Sequence, residues 1–513
     1  MYYTIEDLQK LIDSLSGAEK RYFKTSSKAF SAEGEYPKYL QLYDHMASGQ
    51  TQYREMDLTL RGNVQTTAKR QLFLNILKSL RDFHQKKSPE IIIQNSISEI
   101  EILCHLNLPD QSMGILRKAL KLADEKEKFG LVLQILEWER RLNLVSSTGG
   151  RSNAEVKKEE HLVLSKLTQI KELESIYIQA KELKKQYGYV KGLMKKNLIK
   201  ETIRAKGMPA KSECLSQKAL YYFHFIHALY YWMIFDHSNA FLYSKELLAV
   251  ENQVVLPSEY IDGILEHVTS CVCLGKFEDA LQGLEMASAY AEEHGLNQSN
   301  SFKVKFFYYQ VSYQIIIFNY TGNRSRLLQT IKDAEMKLTQ YGTQLSFESR
   351  QVIHANLMNA YLGVGNIKKV DELWNQLFRR KSKSVRRDIY DDLYFFRLFN
   401  LLQSKTYVLI PAMASSAYRY YKRIKDHEHL FEPELKIATL LQKEHHFDRS
   451  EIRMEVFEEI KLILQQYLNG LKGLDNFQEH YTLYFIWIES LISERPFQEL
   501  AAKWYKQYKI RTK

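Results

Sequence analysis

His224 and His227 lie three positions apart in the stretch Tyr221 to Phe235, so a helix there puts both imidazoles on one face. Asp236 and His237 follow at once. These residue types could hold a transition metal, which needs three or four converging ligands. The same stretch is crowded with Tyr222, Phe223, Phe225, Tyr230 and Tyr231. That company assigns the histidines to packing. Cys271 and Cys273 form a C-x-C, too tight for a zinc knuckle, and no second pair completes it. With Cys104 and Cys214 they read as reduced, buried thiols in apolar helices, which fits a reducing compartment. The carboxylate pairs Glu159-Glu160, Glu292-Glu293 and Glu458-Glu459 are adjacent. On a helix such neighbours diverge by about 100°, so neither pair member can share a cleft with the other. There is no phosphate-binding loop, dinucleotide fingerprint, HExxH or nucleophile elbow. Gly363-Val364-Gly365 has no strand before it and reads as a turn. The expectation is a protein that is no enzyme and takes no cofactor and no metal.

Charge and aromatic content leave binding as the work to be done. The formal net charge is +11. Its sharpest concentration is Arg379, Arg380, Lys381, Lys383, Arg386 and Arg387, which reads either as a patch for an anionic partner or as a solvated linker. No aromatic residues interleave it, which weakens base stacking. Tyr is abundant, at 34 residues against 25 Phe and 5 Trp. A tyrosine can bury its ring and leave its hydroxyl at a surface. Tyr222, His224, Tyr230, Tyr308, Tyr309 and Tyr313 are the candidates for a protein-binding surface, chosen by position on their helix faces.

Few prolines and glycines, 8 and 21 in 513 residues, suit long helices that would position these groups. The chain divides into four stretches. Residues 1–90 form a helical region: a cap over the apolar end of a helical stack, or a helix-turn-helix module presenting Lys69, Arg70, Lys78 and Arg81. Thr4 is its first N-cap, and Ser16 with Glu19 makes a capping box. Residues 91–145 carry the first helix hairpins. A loop of exposed composition spans 146–153. Residues 154–210 are long charged helices, the first running to Tyr187 and folding back on 193–206. Residues 213–513 hold hairpin after hairpin. No stretch reaches the roughly twenty apolar residues of a membrane helix, and the start is no signal peptide, so no membrane insertion and a soluble, cytoplasmic protein are expected.

The clearest hairpin is Glu259 to Glu293. Ile261, Ile264, Leu265, Val268 and Cys271 face inward on its first helix, Leu274-Gly275-Lys276 turns, and Phe277, Ala280, Leu281, Leu284 and Ala287 face inward on its second. Gly275, Gly322 and Gly365 occupy successive turns of this kind, where glycine accepts a positive φ. These turns resemble those of the tetratricopeptide-repeat family, with Ala280 at the alanine that packs within the second helix. The spacing exceeds the family's roughly 34 residues, and its Trp-Leu-Gly pattern is absent. The resemblance implies an all-α fold: an irregular right-handed superhelix of stacked antiparallel helix hairpins with an N-terminal helical cap. It also implies a non-catalytic scaffold or adaptor for a protein or peptide. The other reading is a transcriptional regulator associated with nucleic acid, with residues 1–90 binding DNA and the repeats sensing. Neither reading sets an oligomeric state.

Overall fold

Thr4 accepts a hydrogen bond from the Asp7 amide at 3.1 Å, and the Asp7 carboxylate accepts one from the Thr4 amide at 3.2 Å. This reciprocal cap satisfies amides that a helix start leaves open, and it begins α1 (Ile5–Ser14). Ser16 and Glu19 do the same for α2 (Gly17–Ala29). With α3 (Lys38–Ala47) and α4 (Asn63–His84), these helices share a core of their own, built from Leu8, Ile12, Phe23, Leu40, Tyr43, Met46, Leu72 and Ile76. The structure is a computed structural model and describes residues 4–29, 37–47, 63–84, 88–145, 151–190, 197, 199–200, 208–379, 387–423, 432–443, 446–470 and 479–511. Among the described residues there are 22 α-helices and no strand, and helices pack on their neighbours in sequence order. None of these helices is long and apolar enough to cross a membrane.

The chain separates into two compact units, Met1–Thr168 and Gln169–Lys513. The first continues through α5 (Pro89–His105), α6 (Pro109–Glu125), α7 (Phe129–Leu142) and the start of α8 (Asn153–Tyr187). Residues 146–150 of the expected loop lie outside the described residues. Arg151 just after them is anchored: its guanidinium donates to Glu139 at 2.9 and 2.5 Å and also to Glu159. Glu139 is buried, so this pairing compensates a charge that α7 would otherwise bury alone. Most of the segment 193–206, expected to fold back on α8, lies outside the described residues.

The second unit runs through α9 (Gln217–Met233), α10 (His237–Leu248), α11 (Pro257–Cys273), α12 (Phe277–Glu293), α13 (Asn300–Tyr320), α14 (Arg324–Tyr341), α15 (Phe347–Val364) and α16 (Ile367–Arg379). It continues through α17 (Arg387–Gln403), α18 (Ile410–Arg423), α19 (Glu432–Lys443), α20 (Ser450–Gly470), α21 (Glu479–Ser493) and α22 (Phe497–Arg511). Gly275, Gly322 and Gly365 have φ of 68°, 65° and 79°, the left-handed turn conformation expected of them. Asn107, Glu127, Phe235, Lys405 and Glu494 adopt it in other inter-helix turns without being glycine. In seven of these eight turns the next amide donates back to the carbonyl five residues earlier, as Lys276 does to Cys271 at 2.9 Å and Thr406 does to Leu401 at 3.0 Å. That 6→1 bond ends a helix on its own backbone, whatever side chain stands in the turn.

Some contacts depart from sequence order: α21 meets α17, where the Tyr484 hydroxyl donates to Asp392 at 2.8 Å. The last helix, α22, returns to the turns of α11–α12 and α13–α14. The Tyr508 hydroxyl donates to the Leu274 carbonyl at 3.1 Å, and Lys509 pairs with Glu278 at 2.6 Å. Gln498 donates its amide to Asn319 Oδ1 at 2.7 Å, and Asn319 donates in turn to Asn359 at 3.0 Å. Gly322 makes the approach possible: a Cβ there would stand 2.2 Å from the Gln498 carbonyl oxygen.

Candidate ligand cavity of the second unit

Tyr308, Tyr309, Ser312, Tyr313, Ile316 and Tyr320 recur at steps of three and four along α13, so they form one face. The same rule groups Thr269, Val272 and Cys273 on α11, Val352, Ala355, Asn356 and Asn359 on α15, and Ile389, Asp392 and Phe396 on α17. These faces surround one cavity of about 260 Å³. Trp232 at the end of α9, His237 at the start of α10 and Leu483 on α21 complete its walls. Helices joined only through long stretches of chain thus share one interior space.

Aromatic stacking fixes one end. Tyr189 lies between Trp232 and Phe235, with ring centroids at 4.1 and 4.3 Å and nearly parallel planes. Its segment is pinned by the Val190 amide, which donates to the Met233 carbonyl at 2.8 Å. Lys184 sits over the Trp232 ring, 4.3 Å from its centroid, and holds both oxygens of the buried Glu266 at 2.8 Å. A second hollow of about 490 Å³ adjoins and shares Lys184, Tyr308 and Tyr309. Its walls are charged: Lys181 pairs with Asp262 at 3.2 Å, and Lys185 faces Glu348 at 3.9 Å. Burial lowers the Lys181 ammonium below its ordinary value, and Glu266 and Glu259 offset part of that.

Three buried polar atoms of residues that line the cavity have no hydrogen-bond partner among the described residues: Trp232 Nε1, His237 Nδ1 and Ser312 Oγ. Their residues are 6%, 5% and 3% exposed, so desolvation of these groups is nearly complete. Burial pushes the His237 imidazole down to about 4, against a smaller opposing pull from Asp236. It is therefore neutral near pH 7. Tyr313 by contrast is satisfied by the Thr269 hydroxyl at 2.5 Å.

The residues singled out in the sequence separate here. Tyr308, Tyr309 and Tyr313 line the cavity. Tyr222 and His224 lie in the core, each 1% exposed; Tyr222 donates to Glu259 at 2.9 Å, and His224 packs between Phe223 and Tyr243. Tyr230 is half-buried against the cluster of Val190, Trp232 and Met233. Arg379 closes α16 and Arg387 opens α17, and Arg380, Lys381, Lys383 and Arg386 lie outside the described residues. Among the described residues no group of three His, Cys, Asp or Glu could hold a metal ion. Cys271 and Cys273 are buried, but Cys104 and Cys214 are partly exposed, against the expectation that all four are buried. Burial pushes the Cys271 thiol up to about 12. Trp232 and Ser312 were not singled out from sequence. The period of α13 contained the signal for Ser312, since it shares the face of Tyr308 and Tyr309. Nothing local marks Trp232, whose role depends on the convergence of distant helices.

Compared with protein-family models, curated proteins and solved structures, the chain matches none.

Proposed function

We propose that this protein is a non-catalytic scaffold that binds a protein or peptide segment along the groove of its second unit. In this reading the second unit is a tetratricopeptide-like right-handed superhelix of antiparallel hairpins, and residues 1–90 cap the repeats. The observation that carries it is the continuity of the charged hollow with the aromatic cavity through Lys184, Tyr308 and Tyr309. Paired charges at the mouth suit a peptide's own charges, and rings within suit an apolar anchor, the division seen where a few buried residues supply most of an interface's energy. The walls come mainly from alternate helices, α9, α11, α13, α15, α17 and α21, which is how stacked hairpins present an inner face.

The regulator reading rests on a different feature. Helices α1 to α4 have their own core and expose Arg70, Lys78 and Arg81 on α4. Leu74 and Leu77 are exposed on that same helix, at 47% and 40%. Apolar side chains between the basic ones suit a protein contact better than a phosphate backbone.

Affinity capture from native cells at moderate salt, with and without nuclease, separates the two. The groove is tested by repeating the capture with Lys185→Glu, a substitution at a position whose side chain is 63% exposed. A protein that survives nuclease and is lost from the variant supports the scaffold. A partner retained by the variant places binding elsewhere, and partners lost with the nucleic acid favour the regulator.

A further inference from the structure

We propose that the hollow where α14 and α16 begin docks an acidic peptide segment of a partner protein, with one aliphatic side chain seated between carboxylates. This surface goes beyond the scaffold reading, since it shares no lining residue with the cavity or with the charged hollow beside it.

Arg324 and Leu328 are four positions apart on α14, so they share a face. The end of α15 and the start of α16 add Val364, Ile367 and Lys368, and the hollow that these residues line measures about 520 Å³. Its apolar part is open to solvent: Leu328 is 43% exposed, and Val364 and Ile367 are half-buried. Apolar side chains gathered in one surface hollow gain by being covered. Its charge has one sign. Arg324 and Lys368 line it, and among the described residues no carboxylate does. Neither α14 nor α16 carries an acid in its first turn to balance them. Among the described residues neither side chain has a hydrogen-bond or ion-pair partner. The neighbouring Lys369 shows the contrast, since it pairs with Glu335 and Glu372 at 3.4 Å each. In the charged hollow beside the cavity, Lys181, Lys184 and Lys185 likewise each face a carboxylate of this chain. A positive surface that the protein does not balance itself selects a partner of opposite charge. Nucleic acid or a lipid headgroup would answer the charge alone. Two cations supply few phosphate contacts, no aromatic ring lines the hollow for a base to stack on, and Leu328, Val364 and Ile367 would stay uncovered. A peptide with acidic residues flanking an aliphatic one answers both.

The test is fluorescence anisotropy of the full chain with labelled, N-acetylated peptide amides: Asp-Glu-Leu-Glu-Asp, its uncharged counterpart Asn-Gln-Leu-Gln-Asn, and Asp-Glu-Ser-Glu-Asp. Saturable binding of the first, about tenfold tighter than either of the others and weakening as salt rises, is expected. Arg324→Glu combined with Lys368→Glu should abolish it, and the milder Arg324→Gln with Lys368→Gln should weaken it by about tenfold. Leu328→Ala should weaken it by roughly fivefold, at low and high salt alike. All three side chains are exposed, so the melting temperature should stay unchanged. Absence of saturable binding by the first peptide, or binding that the double Glu variant retains, overturns the proposal. Equal affinity for the serine peptide overturns the apolar half of the argument, and with it the assignment. Phosphatidylserine vesicles or a single-stranded oligonucleotide bound by the wild type and lost by the double Glu variant, with no peptide bound, would assign the charge to phosphate and overturn it too. Lys185→Glu should leave the peptide's affinity unchanged, so the scaffold reading and this one fail separately.

Discussion

Lys405 holds a left-handed backbone, with φ 56°, in an exposed turn where three sister turns use glycine. An L-residue pays roughly 1–2 kcal/mol for that conformation, and glycine returns part of the gain through its freer unfolded chain. Lys405→Gly should therefore stabilise the second unit by about 0.5–1 kcal/mol, read from urea denaturation. The glycines made three turns legible in the sequence. At the five others the left-handed residue was hidden, because the 6→1 bond that closes most of them is made by backbone alone. His224 and His237 carry a second expectation at this scale. Burial, aided at His224 by Lys211 and His227 against Glu246, pushes both folded values down to about 4 from 6.5. Between those values the unfolded chain binds the protons first, so stability falls as pH drops from about 6.5 towards 4. Wild type and His224→Gln should differ in their pH dependence by up to about 2 kcal/mol between pH 7 and pH 5, the wild type losing more. Parallel denaturation curves at the two pH values would show that His224 is not the group responsible. His224, one of the residues that invited a metal reading, thus marks a packed interior, as its aromatic neighbours suggest.

At the scale of elements, Gly322 has two jobs. Its φ of 65° was readable as a turn, but its second role was not: it lets the Gln498 carbonyl and the Ala502 amide lie against the turn. Added to that position, a Cβ would meet both within 2.6 Å, and these are backbone atoms that cannot swing aside. Gly363 is similar, with Asn319 Oδ1 at 2.4 Å from an added Cβ. Gly365 is the natural comparison. Its φ is also positive, but an added Cβ would meet only Gln403 Nε2, at 3.5 Å. Gly365→Ala should cost about 1 kcal/mol, the backbone strain alone. Gly322→Ala should cost at least about 2–3 kcal/mol, because overpacking against α22 adds to the strain. Hydrogen exchange distinguishes the two: amides of residues 497–511 should lose protection in Gly322→Ala and keep it in Gly365→Ala. Similar protection of α22 in both would mean that the helix is held elsewhere.

Over the whole second unit, helix existence and turn position followed from patterns spanning a few residues, and these were legible. Ala280 and Ala287, buried at zero exposure where two helices meet, were legible for the same reason. The cavity was not, because its walls come from helices as distant in the chain as α9 and α21, and neither were the contacts of Gln498 with Asn319 and Tyr508 with Leu274, separated by 179 and 234 residues. No local period encodes them. They also change how the unit should unfold. In a linear array each hairpin rests on its neighbours alone, and stability is a sum of local terms that can be lost piece by piece. Here α22 joins late chain to the turns of α11–α12 and α13–α14, so fraying from the end is opposed by contacts with the middle. The wild-type second unit should unfold in one steep transition. A chain ending at Glu494 should unfold over a broader range of urea, with a smaller slope, because exposed surface is released in stages. Four of the five tryptophans, Trp232, Trp374, Trp487 and Trp504, lie in this unit, so a Trp138→Phe background makes the fluorescence report on it alone. A truncated chain with an unchanged slope would mean that nearest-neighbour packing already makes the unit cooperative and that α22 only adds to its depth.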